Sequence, residues 1–184
     1  MNRVSSPKER EVIEIIHQCL EEMPDIPVPF GDDASAISVD GDTLAVLKVD
    51  MLVGKTDVPP GMTLYQASRK AVVMSVSDLA SKGVKPLALL TSIGLPRGLR
   101  REDVEEIGRG LNAGAREYGA YVIGGDTNEA SDLIIDCVAF GKVDRKNFVG
   151  RGGARPGDIV ATTGTFGNTS SGLKILLEGL QAPE

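Results

Sequence analysis

The segment Val122-Ile-Gly-Gly-Asp-Thr127 constrains this chain more than any other. An apolar run, Tyr121 to Ile123, breaks abruptly into two glycines and a carboxylate. Glycine has no Cβ and tolerates positive φ, so a backbone carrying two of them lets a ligand come close. An aspartate directly after a strand, at the edge of a sheet, is well placed to hold Mg²⁺, a hard cation that prefers oxygen ligands. The same residues are also good turn chemistry, with Asp126 as a cap. The segment alone leaves both readings open, and three further carboxylate sites of the same character favour the ligand.

With 184 residues the chain has enough length for one domain with a real core, or one domain plus a stub. A net charge of -6 argues against a general nucleic-acid binder, whose footprint is basic. Aromatics at 4% and no Trp argue against stacked single-strand binding. The N-terminus lacks an apolar signal core, and no apolar run is long enough to cross a membrane. Cys19 and Cys137 are far apart and form no CxxC pair, so they read as buried thiols in a reducing, cytoplasmic setting.

Along the chain, apolar residues at helical spacing predict a helix over residues 7–22, with Ser5 or Ser6 as N-cap. His17, the only histidine, has no partner histidine or nearby nucleophile and reads as surface or half-buried. Pro24, Pro27 and Pro29 force an extended or turning segment. Asp40-Gly41 between two apolar runs predicts a hairpin of strands 36–39 and 43–49. The second strand is nearly all apolar, which predicts burial on both faces, and it ends in Asp50. Residues 51–61 read as a loop able to close over a ligand. A helix follows over 63–82, stopped by Gly83, on which Ala71, Ser75 and Asp78 share one stripe. Asp78 could alternatively pair with Lys82, four positions on. Strands at 87–95, 120–123, 133–143 and 159–163, and helices at 100–118 and 173–180, complete the pattern.

That order predicts an α+β fold: a mixed or antiparallel sheet with helices on one face. The other face is then uncovered, and a second copy of the chain, making a homodimer, is its simplest cover.

Gly31-Asp32-Asp33-Ala34, Asp50, Asp78 and Asp126 each sit where an element meets a loop. Adjacent carboxylates such as Asp32 and Asp33 repel unless cations or hydrogen bonds compensate. If the four sites converge, they need metal ions, and Mg²⁺ that shares one or two carboxylates with substrate phosphates suits a nucleoside triphosphate with several ions. Arg151, in a glycine-rich loop, could fork onto a phosphate. There is no GxxxxGK[ST] element and no protein-kinase motif set. Phosphoryl transfer depends on positioning and charge neutralisation, so the lack of a catalytic His or Cys is no objection.

The ordered set Gly31-Asp32-Asp33-Ala34, Asp50-Met-Leu-Val, Ser75-Val-Ser-Asp78-Leu-Ala, Ile123-Gly-Gly-Asp126-Thr127, Arg151-Gly-Gly-Ala-Arg-Pro-Gly-Asp158 and Thr163-Gly-Thr-Phe-Gly resembles one superfamily of ATP-using enzymes. Its members include aminoimidazole ribonucleotide synthetase, selenophosphate synthetase, the hydrogenase-maturation dehydratase and thiamine-monophosphate kinase. Archaeal thiamine-monophosphate kinases are the members it resembles most. The resemblance implies an aminoimidazole ribonucleotide synthetase-like N-terminal domain that dimerises. It also implies Mg²⁺ on Asp33, Asp50, Asp78 and Asp126, with ATP contacts from Gly125, Asp126 and Arg151. The implied reaction is ATP-dependent phosphorylation of thiamine monophosphate to thiamine diphosphate. A sister enzyme with another acceptor and a non-catalytic dimeric module are the alternatives. On this likeness residues 1–150 form the ATP/Mg-binding and dimerisation domain, and residues 151–184 begin a truncated second domain, leaving the chain weakly active or inactive alone.

Two departures stand out. Many bacterial members have Ser-Thr where this chain has Lys48-Val49, and an inward-pointing Lys48 would compete with a cation. They also carry a substrate-contacting histidine where Asp57 stands here, and a carboxylate there would face the cationic thiazolium.

Overall fold

A computed structural model describes residues 8–181. The Ser5 or Ser6 cap therefore lies outside the described residues. Helix α1, Glu9–Gln18, is shorter than expected and buries no residue. His17 on it is half-buried and stacks on Phe30, ring centroids 4.1 Å apart.

The predicted hairpin forms. Strand β1 (Ser35–Asp40) and strand β2 (Thr43–Val53) pair antiparallel around Gly41, which has φ of 49°. β1 covers β2 only as far as Leu47, so residues 48–53 of β2 have no neighbour on that side among the described strands. β2 is not buried on both faces. Leu44, Val46 and Leu52 are buried while Leu47, Val49 and Met51 are exposed, the alternation of a sheet with one covered face.

Residues 51–61 are not simply a loop. β2 continues through Val53, and a one-turn helix α2 (Gly54–Asp57) follows. The next helix, α3 (Leu64–Ser81), starts at a capping box. Thr63 Oγ1 accepts the Gln66 N–H at 3.2 Å while Gln66 Oε1 accepts the Thr63 N–H at 2.9 Å. Its buried stripe is Ala67, Ala71, Val72, Ser75, Val76 and Leu79. Strand β3 (Pro86–Leu95), helix α4 (Arg101–Glu117), strand β4 (Tyr121–Glu129) and strand β5 (Ile134–Asp144) complete the sheet.

The five strands run in the order β1-β2-β5-β3-β4, with β3 and β4 parallel and the other neighbours antiparallel. The sheet is thus mixed, as the chain order predicted. α3 lies across β2 and β5, and α4 packs on α3 and β4. α4 approaches closely because Gly110 faces the backbone of α3, where a Cβ would collide with the Tyr65 carbonyl. The core fills the space between helices and sheet with Leu44, Val46, Leu79, Leu89, Ile135 and Cys137, among others.

The principal corrections concern ends of elements. The segment at 122–127 is no turn, because β4 runs through both glycines to Glu129. Residues 159–163 form no strand; Ile159 and Val160 are 94% and 92% exposed, and no described strand pairs with them. The final helix α5 spans Asn168–Glu178, starting earlier than the apolar spacing indicated. Cys19 is exposed and only Cys137 is buried. On α4, Ile107, Leu111 and Ala115 face the core while Val104 is exposed. No helix among the described residues is long and apolar enough to cross a membrane.

Candidate functional site

One cross-strand row organises the candidate residues. Asp50 on β2 is level with Cys137 on β5, Cys137 with Thr91 on β3, and Thr91 with Gly125 on β4. Asp126 is one residue further, level with Ser92. Cys137 and Thr91 are buried beneath α3, and Ser75 Oγ donates to the Cys137 carbonyl at 2.6 Å. Burial pushes the Cys137 thiol up to about 12, so it is an inert filler of the row.

The sheet lines up Asp50 and Asp126 without bringing them into contact. Three inter-strand steps separate their backbones, about 14 Å. One Mg²⁺ ligated at about 2.1 Å cannot span that gap, whereas a chain of phosphates could. Among the described residues no three His, Cys, Asp or Glu side chains come close enough together to hold one ion.

The other carboxylates are held by the chain's own cations. Lys48 Nζ lies 2.6 Å from Asp78 Oδ2 and 3.1 Å from Asp50 Oδ1. Lys48 therefore points inward, and it is Lys48, not Lys82, that pairs with Asp78. Burial alone would lower the Lys48 ammonium; its bonds to Asp78 and Asp50 outweigh this and raise it.

Lys82, only 3% exposed, reaches Asp32 Oδ1 at 2.6 Å and Asp33 Oδ2 at 2.7 Å. Burial works against its charge too, and the two carboxylates again carry its value upward. Asp32 is held below the usual carboxylate range: burial opposes this, but Lys82 and the N–H groups of Arg151 and Asp33 prevail. Asp33 is lowered chiefly by the Lys82 hydrogen bond. Arg151 joins the same group, its Nη1 being 3.5 Å from Asp33 Oδ1 and 3.3 Å from the Gly31 carbonyl. A cleft of about 380 Å³ lies between Asp32, Asp33, Lys48 and Val49.

Asp126, by contrast, is exposed, and its side chain has no hydrogen-bond or ion-pair partner among the described residues. Gly124 and Gly125 pair with β3 on one side, and on the other the edge of β4 has no strand neighbour among the described residues. Asp57 serves its own helix, its Oδ2 accepting the Val53 N–H at 2.8 Å. It also lines a groove of about 890 Å³ between α2, α3 and α5, beside Lys55, Lys70 and Met74. Lys82 was not foreseen as a site residue. Its signal was the Asp32-Asp33 pair, which demanded a cation without saying which residue supplies it.

A mixed five-stranded sheet backed by helices on one face, with carboxylates on β2, α3 and β4 and a glycine pair beside one of them, defines an N-terminal domain of the aminoimidazole ribonucleotide synthetase type. The chain belongs to the family described as AIR synthase related protein, N-terminal domain, whose pattern it matches over residues 31–143. A thiamine-monophosphate kinase of Pyrococcus horikoshii is 41% identical over 170 residues, which cover 92% of this chain and 53% of that protein. The chain spans about half the length of the curated relatives it matches. Among solved structures, thiamine monophosphate kinase from Aquifex aeolicus matches 97% of this chain and 57% of its own, with 28% identity and a TM-score of 0.79. A structure described as AaThiL complexed with AMPPCP and TMP matches 100% and 57%, with 28% identity and a TM-score of 0.86.

Proposed function

We propose that the chain supplies the ATP-phosphate site of a thiamine-monophosphate kinase. The γ-phosphoryl group of ATP passes to the phosphate of thiamine monophosphate. A new P–O bond forms as the β–γ bond breaks, and thiamine diphosphate and ADP leave. The observation that carries this reading is the outer edge of β4 at Gly124-Gly125, which has no strand neighbour among the described residues, beside Asp126, whose side chain has no partner among them. The names of the relatives support the reaction, and the AMPPCP and TMP in the structural neighbour support the two substrates.

In this reading the phosphates approach the two glycines and Asp126 holds Mg²⁺. The ion, when bound, neutralises phosphate charge. Asp126 fits that role as it stands. Asp33, Asp50 and Asp78 do not, because Lys48, Lys82 and Arg151 already neutralise them; they would join an ion only once those cations have moved. Arg151, largely exposed, would swing from Asp33 to a phosphate oxygen. The groove at Asp57 would take thiamine monophosphate, with Asp57 toward the thiazolium and Lys55 and Lys70 toward the phosphate.

The open sheet face, with Leu47, Val49, Met51 and Leu90 exposed, favours a homodimer. We assign residues 1–150 to the ATP/Mg-binding and dimerisation domain. Residues 151–184, whose Ile159, Val160 and Phe166 lack cover, would begin a second one. A cytoplasmic location accords with this substrate chemistry.

The test is an assay of the full-length gene product with ATP, Mg²⁺ and thiamine monophosphate. Equal yields of ADP and thiamine diphosphate are expected; ATP consumption only with a different acceptor would contradict the reading. Asp126→Asn is expected to weaken Mg-ATP binding at least about tenfold through the lost charge. Being exposed, the same change should move the melting temperature by less than about 2 °C. Calorimetry and thermal melts measure both.

A further inference from the structure

We infer that the Lys48 ammonium is a built-in counter-cation that keeps divalent ions out of the space between Asp50 and Asp78, so that removing its charge opens a divalent-cation site there. The inference goes beyond the kinase reading, since it concerns ions bound by the chain without nucleotide.

The two carboxylates come from different elements, Asp50 from β2 and Asp78 from α3. They meet on one nitrogen, at 3.1 and 2.6 Å. That nitrogen marks where the two side chains jointly direct their charge, so the ammonium is itself a cation seated between them. Its side chain is only 19% exposed, so the ammonium leaves this space only by giving up both carboxylates. A divalent ion with oxygen ligands at about 2.1 Å would need the same volume. Brought in beside Lys48, it would sit within about 3 Å of another positive charge and be repelled. With the ammonium gone, two carboxylates face each other with no counter-charge, an arrangement that a hard divalent cation relieves.

The experiment is a Mn²⁺ titration of the 184-residue chain, without nucleotide, read by the paramagnetic resonance signal of free Mn²⁺. Lys48→Met keeps the apolar stem and removes the charge. It is expected to bind one more ion than the wild type, at least about tenfold more tightly than any ion the wild type holds at this pair. In K48M combined with Asp78→Asn the gained ion should disappear. If K48M folds poorly alone, its melting temperature should climb steeply with Mn²⁺ while that of the wild type does not. Equal ion number and affinity in wild type and K48M, or a K48M melting temperature that ignores Mn²⁺, would overturn the inference. An inactive enzyme would not disturb this result. Conversely, a fully active kinase whose ion binding is unchanged in K48M would refute only the role given to Lys48.

Discussion

Gly125→Ala is expected to lower the melting temperature by about 10 °C, whereas Gly124→Ala next to it should leave it nearly unchanged. A Cβ built on Gly125 would overlap the Thr91 carbonyl of β3, backbone that has no freedom to move aside. The strands must shift apart or the pairing must break, which corresponds to the upper end of overpacking costs, about 3 kcal/mol. A Cβ on Gly124 meets only Leu90 Cδ2, at 3.5 Å, an ordinary contact. Circular dichroism melts of the two variants decide the matter. Equal losses would mean that the close approach at Gly125 is not what holds β4 against β3. Because Asp126 follows directly, G125A should also displace that carboxylate and weaken nucleotide binding along with stability.

Lys82→Met should cost about 2 kcal/mol, the figure for breaking a buried pair discounted because Asp32 and Asp33 reach solvent. The methionine retains the apolar stem that Lys82 buries beside Gly83, so the loss reports the ammonium. The pH dependence separates this from a packing defect. Asp32 and Asp33 are held below the usual carboxylate value of 3.8. Their contribution is present above that value and is lost as pH falls through their lowered folded values. Lys82 is raised above its usual 10.5. Its contribution is complete below 10.5 and is lost as pH rises through its raised folded value. The wild type should therefore lose stability at both ends of the range, and K82M should lose much less at each. Parallel melting curves for the two proteins across pH would contradict the ion-pair role.

Much of the architecture was legible because its signals are local. Asp40-Gly41 between apolar runs announced the hairpin, and Gly83 announced the end of α3. The passage of β4 through Gly-Gly-Asp was hidden. Those residues are locally turn formers, and what extends them is a carbonyl on another strand. The apolar run at 159–163 misled for the converse reason: a strand needs a partner, and composition cannot supply one. The site was half legible. Asp32, Asp33, Asp50 and Asp78 were found by type and position, and their need for cations followed from charge. That lysines of the same chain meet the need depends on β2 and α3 lying side by side for Lys48, and on the end of α3 meeting the segment before β1 for Lys82, which no spacing reveals.

The central claim is that ATP phosphates settle against Gly124-Gly125 with Asp126 beside them. Backbone amide NMR of the chain during a Mg-ATP titration tests it most directly. The signals of Gly124, Gly125 and Asp126 should shift and saturate together, and chelating Mg²⁺ should reverse the change. Silence at those three amides, while others respond or none do, would contradict it.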